Sequence, residues 1–175
     1  MRSGRLEQVQ STNHRIDLIT RKKPVHFQPY RAGPTARAVE SAEIERMLKA
    51  KVIEPATSEW ASPIVLVAKP DGSTRFCVDY RRLNAITVRD SYPLPRMDEC
   101  IDSLGDAKIF MTLDCNSSYW QIPVRPEDRE KTTFTSHEGL YWFLRMPFGL
   151  RNAPATFQRF VDITLSGLTW KIFLV

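Results

Sequence analysis

The sequence predicts a mixed α+β fold, and three observations carry that expectation. Residues 62–80 hold two runs of branched and aromatic side chains around an Asp-Gly step, the signature of a β-hairpin. Residues 39–48 instead place apolar side chains at helical spacing. Further strand-like and helix-like segments follow to the end of the chain, with no internal repeat and no low-complexity tract.

Residues 1–35 are polar, basic and punctuated by Pro24, Pro29 and Pro34, the pattern of an extended arm lying on another surface. Val39, Ile44, Met47 and Leu48 then predict a helix over about 36–50, and Glu45, four residues before Lys49, adds a favourable pair. In "SPIVLVAKPDGSTRFCVDY" the second hairpin strand alternates Phe76, Val78 and Tyr80 on an apolar face with Arg75, Cys77 and Asp79, so that Arg75 and Asp79 point outward. "SYPLPRMDECIDSL" starts a short helix near Arg96, "AKIFMTLD" reads as a strand ending at Asp114, and residues 115–121 as a helical turn. Glu127 to Lys131 reads as a charged, solvated turn before two strands, "TTFTS" and "LYWFLRM". Asn152 as a cap and Pro154 in the first turn open a helix with Phe157, Phe160, Val161, Thr164, Leu165 and Leu168 on one face. Thr169 to Val175 reads as a final apolar strand.

With 175 residues, 42% of them hydrophobic, the chain can bury one ordinary core. Its formal charge of +5 makes a polyanionic partner plausible. Cys77, Cys100 and Cys115 form no C-x-x-C pair, which argues against a disulfide framework or a zinc site and fits a reducing, intracellular compartment. His14, His26 and His137 share no metal-ligand spacing and receive no role. The N-terminus lacks the apolar core of a signal peptide, and the longest apolar run, Ile64 to Ala68, is too short to span a bilayer, so no membrane partner is expected.

Three sets of residues offer chemistry: the turn from Asp114 to Tyr119, the hairpin tip, and the loop "MPFGLRNAP". Asp114 follows the apolar stretch "IFMTL", where a strand would deliver a carboxylate to a metal; an Asp before a helical turn is also an ordinary N-cap. Tyr119, after the small residues Ser117 and Ser118, can floor a nucleotide-sized space or simply pack in the core. Lys69 and Arg75 at the hairpin tip can close on a triphosphate or lie in a solvated turn. In "MPFGLRNAP", Gly149 permits close backbone approach and Phe148 can stack on a base or sugar.

These pieces converge on a family. "SEWASPIVLVAKPDGSTRFCVDYRRLN", "YPLPRMDE", "TLDCNSSYWQIPV" and "KTTFTSHEGLYWFLRMPFGLRNAPATFQ", in this order, closely resemble the reverse transcriptases of gypsy-class long-terminal-repeat retrotransposons, from about Thr12 to Val175. The resemblance implies a right-hand polymerase architecture. The fingers would comprise about 36–88 and 122–152, the palm about 89–121 and 153–175, and the arm of residues 1–35 would follow a protease or linker in a polyprotein. It implies RNA-directed DNA polymerisation, in which a primer 3′-hydroxyl attacks the α-phosphate of a deoxynucleoside triphosphate with two magnesium ions in attendance.

By the same resemblance, Asp114 matches the first catalytic aspartate, with the backbone carbonyl of Cys115 as a further metal ligand. Asn116, Ser117, Ser118 and Tyr119 match the nucleotide-binding turn, Tyr119 being the gate against a ribose 2′-hydroxyl. Lys69 and Arg75 match triphosphate contacts; Asp79, Arg81, Gly149 and Pro154 match positions along the template. Phe148 stands where retroviral enzymes carry Gln, and Ser118 where Gly is common in the class. In the family the strand like "WKIFLV" leads into a Tyr-x-Asp-Asp hairpin that supplies the other aspartates, followed by thumb and ribonuclease H, none of which this chain contains. The expectation is therefore no polymerisation by this chain alone, with a nucleic-acid-binding fragment or a degenerate transposon remnant as the alternative. The partners implied are an RNA or DNA template with primer, deoxynucleotides and the rest of the polyprotein, in a cytoplasmic virus-like particle or the nucleus.

Overall fold

The computed structural model describes residues 12–19, 23–70, 72, 74–105, 107–169 and 173–174. Helix α1 (Pro34–Lys49) starts with proline at its first position, where the missing N–H leaves no bond unmade, and buries Ile44 and Met47. The expected pair on its outer face forms, with Lys49 Nζ 2.7 Å from Glu45. Strands β1 (Ile53–Pro55), β2 (Ser62–Ala68), β3 (Thr74–Val78), β4 (Phe134–Thr135) and β5 (Leu140–Phe143) make one sheet in the order β1-β5-β4-β2-β3. The β2–β3 hairpin forms as the Asp-Gly step predicts, with Ile64 opposite Val78 and Ala68 opposite Thr74. The β2–β4 pair is parallel and the others antiparallel.

One core sits beneath this sheet. Ile44 and Met47 of α1, Ile53, Ile64, Tyr80, Ile122, Val124, Phe134, Phe143 and Met146 are all buried in it. Phe76 meets the Phe134 ring edge-on, at 5.7 Å between centroids. The N-terminal arm lies on this body: Ile16 is 2% exposed, and His14, Leu18 and His26 bridge to Val124, Thr87 and Ala61. Helix α4 (Ala153–Thr164) buries Ala153, Ala155, Thr156, Gln158 and Val161 against it.

Several expectations fail for physical reasons. "AKIFMTLD" is not a strand: among the described residues nothing pairs with residues 107–114, and Ile109, Phe110, Met111 and Leu113 are all exposed. An apolar run becomes a strand only with a ladder partner for its N–H and C=O groups. Asp114 does not cap the following turn either; Ser117, in the left-handed region at φ 50, occupies the N-cap of a 3-10 turn over Ser118–Gln121. The segment expected to be a solvated turn is a 3-10 helix over Pro126–Thr132 in which Asp128 is fully buried. There the carboxylate accepts from the Ile16 amide (3.1 Å), Arg125 Nε (3.0 Å) and Lys131 Nζ. A short helix, α2 (Arg81–Ile86), was not foreseen, whereas the helix expected near Arg96 forms as α3 (Met97–Ser103) and buries nothing. The strand expected over Thr169 to Val175 lies largely outside the described residues; Thr169 bridges to Phe173, whose amide donates to the Leu168 carbonyl at 3.2 Å.

Candidate nucleotide and nucleic-acid site

Two loops meet at Tyr119. The turn after Asp114 presents its ring, and the loop between β5 and α4 lays Phe148 over it, with centroids 4.8 Å apart and planes 29° from parallel. Phe157 of α4 flanks the other side at 5.6 Å. Tyr119 is thus neither wholly core nor wholly open: burial raises its phenol pKa, while Phe148 stays 58% exposed. The pair makes an aromatic floor with one face in solvent.

The Phe148 loop is shaped by its neighbours. Gly149 adopts φ +90, which favours glycine, and its Cα faces the Val78 carbonyl and the Tyr80 ring. Tyr80 is buried and donates its hydroxyl to the Thr132 carbonyl at 2.8 Å, so the loop rests on a fixed surface. Pro154 is exposed in the first turn of α4. Asn152 stands at the α4 N-cap without capping it; instead its Oδ1 accepts from the Asp90 amide (3.0 Å) and its Nδ2 donates to the Val88 carbonyl (2.7 Å).

Asp114, Cys115 and Asn116 are exposed. Among the described residues Asn116 bonds within its own turn, its carbonyl accepting from Gln121 Nε2 at 3.0 Å and its side chain from Ser117 at 3.2 Å. Asp114 makes no hydrogen bond or ion pair among the described residues, and among them no group of three or more His, Cys, Asp or Glu side chains is placed to hold a metal ion. One exposed carboxylate does not fit a centre for two divalent ions roughly 3.5–4 Å apart, whose repulsion needs several anionic ligands. Lys69 and Arg75 project near the hairpin tip without ion pairs among the described residues, and nothing brings them into contact with Asp114 or Tyr119.

Asp79 departs from its expected outward position. Its side chain is only 13% exposed and is gripped by Arg81, 2.6 Å away through Nη2, whose hydrogen bonds hold the carboxyl below its usual range. Arg81 itself is 83% exposed. It borders a cavity of about 730 Å³ that also presents Tyr30, Arg31, Arg37 and the buried Glu40, so guanidinium groups outnumber carboxylates in its lining. The feature that sequence reading missed is Asn84 on α2, whose carboxamide reaches across to the Phe148 loop: Nδ2 donates to the Gly149 carbonyl (2.7 Å) and Oδ1 accepts from the Arg151 amide (2.8 Å). An asparagine inside a six-residue helix is a poor helix former, and that was the one signal available.

Comparison with known proteins gives family and fold likenesses. Residues 67–175 match the family model described as reverse transcriptase (RNA-dependent DNA polymerase). The Retrovirus-related Pol polyprotein from transposon opus of Drosophila melanogaster is 41% identical over 157 residues, covering 87% of this chain and 16% of that protein. That from transposon gypsy of the same fly is 40% identical, covering 87% and 15%. Among solved structures, a prototype foamy virus protease-reverse transcriptase mutant superposes with a TM-score of 0.77 at 27% identity, over 87% of this chain and 21% of that one. The foamy viral protein in complex with dsDNA gives 0.67 at 26%, over 89% and 30%. The chain spans about a sixth of the length of these polyproteins.

Proposed function

Because the chain belongs to the reverse transcriptase family of RNA-dependent DNA polymerases, we propose that it is the template- and nucleotide-holding part of a retrotransposon polyprotein's RNA-directed DNA polymerase. The observation that carries this reading is the half-open stack of Phe148 on Tyr119, five residues after an exposed carboxylate. In this reading Tyr119 floors the deoxyribose and excludes a 2′-hydroxyl, with Asn116, Ser117, Ser118 and Phe148 around it. Lys69 and Arg75 meet the triphosphate; Asp79, Arg81, Gly149 and Pro154 follow the template strand. Residues 36–88 and 122–152 act as fingers, 89–121 and 153–175 as palm.

Members of this family generally use divalent metal ions. We propose magnesium, with Asp114 and the Cys115 carbonyl as this chain's contribution to its binding. Since the described residues do not complete a two-ion centre, no chemical step is assigned to the chain by itself; the remaining ligands would come from elsewhere in the polyprotein. The solitary Asp114 equally favours a second reading, a fragment that binds nucleic acid without chemistry, for which salt-sensitive binding indifferent to magnesium is the mark. Sugar selection tests the first reading: in a polyprotein carrying this chain, Tyr119→Ala should admit ribonucleotides, and an unchanged preference for deoxynucleotides would remove Tyr119 from the gate.

A further inference from the structure

Asn84 and Asn152 form a reciprocal pair of clamps. Each carboxamide makes two hydrogen bonds to the backbone of the other's segment: Asn84 to Gly149 and Arg151, Asn152 to Val88 and Asp90. The two differ in what lies next to their targets. Asn152 holds an extended segment, whereas Asn84 holds the residues that follow Phe148 directly.

That loop needs such a hold. It is pinned at Met146, whose amide donates to the Ile122 carbonyl at 2.8 Å, and at buried Leu150, but Phe148 and Gly149 between them are exposed. A glycine at positive φ leaves the backbone many alternatives, and one aromatic stack is too weak to choose among them. The clamp stands on firm ground: neighbouring Leu83 is 1% exposed, the Asn84 amide donates to the Tyr80 carbonyl at 2.7 Å, and Arg151 Nη1 adds a bond to the Asn84 carbonyl at 3.1 Å.

We propose that Asn84 is a positioning residue for nucleotide selection, its carboxamide fixing residues 149–151 so that Phe148 is held flat on Tyr119. This rests on reading Tyr119 as the sugar gate. Asn84→Asp keeps the shape and the acceptor for Arg151 but loses the donor to Gly149 and sets a carboxylate against its carbonyl, so the loop should loosen.

The test reads ring signals in the 175-residue chain and nucleotide affinities in a polyprotein carrying it. Stacking displaces the Tyr119 ring protons in the NMR spectrum, and Tyr119→Phe assigns them. Asn84→Asp should move these signals to where Phe148→Ala puts them, and should lower the ratio of dCTP to CTP affinity, a pair that differs only in the 2′-hydroxyl, by about tenfold, the effect of one such hydrogen bond. Asn152→Ala, which cuts the sister clamp, should leave both unchanged. Tyr119 signals at wild-type positions in folded Asn84→Asp overturn the proposal, as does an unchanged affinity ratio where Phe148→Ala lowers it. If the wild-type polyprotein binds no dCTP, or if Tyr119→Ala and Phe148→Ala leave the ratio unchanged, the gate reading fails and the selection role with it, while the ring signals still decide whether Asn84 holds the stack. Should Asn84→Asp not fold, Asn84→Ala gives the same readouts; if neither folds, Asn84 is a residue of the core and the proposal is overturned.

Discussion

His14 is 1% exposed, with Nδ1 2.9 Å from the Thr156 hydroxyl on α4. Burial lowers its imidazole from 6.5 to about 4, against the upward pull of Asp128 and Asp90. The unfolded chain therefore takes up the proton first, so His14's contribution to stability is whole above pH 6.5 and is lost as pH falls toward 4, by about 3 kcal/mol in total. Urea unfolding across that range should show the loss, and His14→Gln should flatten it; identical pH profiles would contradict the assignment. Single residues were legible in the sequence where their type dictates their use. Gly149 belongs to that class, since its type alone allows the close backbone approach to the Val78 carbonyl and the Tyr80 ring. Asn84 and Asp128 were not, because what they do depends on backbone groups 65 and 112 residues away.

At the scale of elements, local pattern sufficed where an element completes itself. The β2–β3 hairpin and helix α1 satisfy most of their hydrogen bonds within one segment, and both appeared where spacing and turn chemistry put them. The stretch 107–114 has the composition of a strand and pairs with nothing among the described residues, information that composition does not hold. The described part of the arm is the opposite case, a segment held by long-range contacts. Asp128 holds it through the Ile16 amide while Lys131 Nζ donates to the Ile16 carbonyl at 2.9 Å. Removing the charge takes the buried carboxylate away from both Arg125, which keeps the exposed Glu127 at 3.2 Å, and Lys131, which keeps the Ile16 carbonyl, so Asp128→Asn should cost about 2–4 kcal/mol. Chemical denaturation measures that loss, and limited trypsin digestion should cut faster after Arg15 in the freed arm; wild-type stability with an uncut arm would show that the clamp carries no weight.

For the whole molecule, the net charge of +5 and the Arg31, Arg37 and Arg81 guanidinium groups around one cavity are what the proposed template path would use. The affinity of the chain for an RNA/DNA hybrid should fall linearly on a log–log plot against salt, and Arg81→Ala should reduce the slope by about one. A slope unaltered by that substitution would remove Arg81 from the template path. The division of labour between this chain and the rest of a polyprotein rests on Asp114, which offers one carboxylate where two metal ions need several. Primer extension on an RNA template, by a polyprotein carrying this sequence with and without Asp114→Asn, tests that most directly. We predict a loss of at least about a hundredfold with template binding intact, in line with removing a group that stabilises charge in the transition state. Extension at the wild-type rate would contradict the assignment of Asp114 and, with it, the placing of the nucleotide at Tyr119.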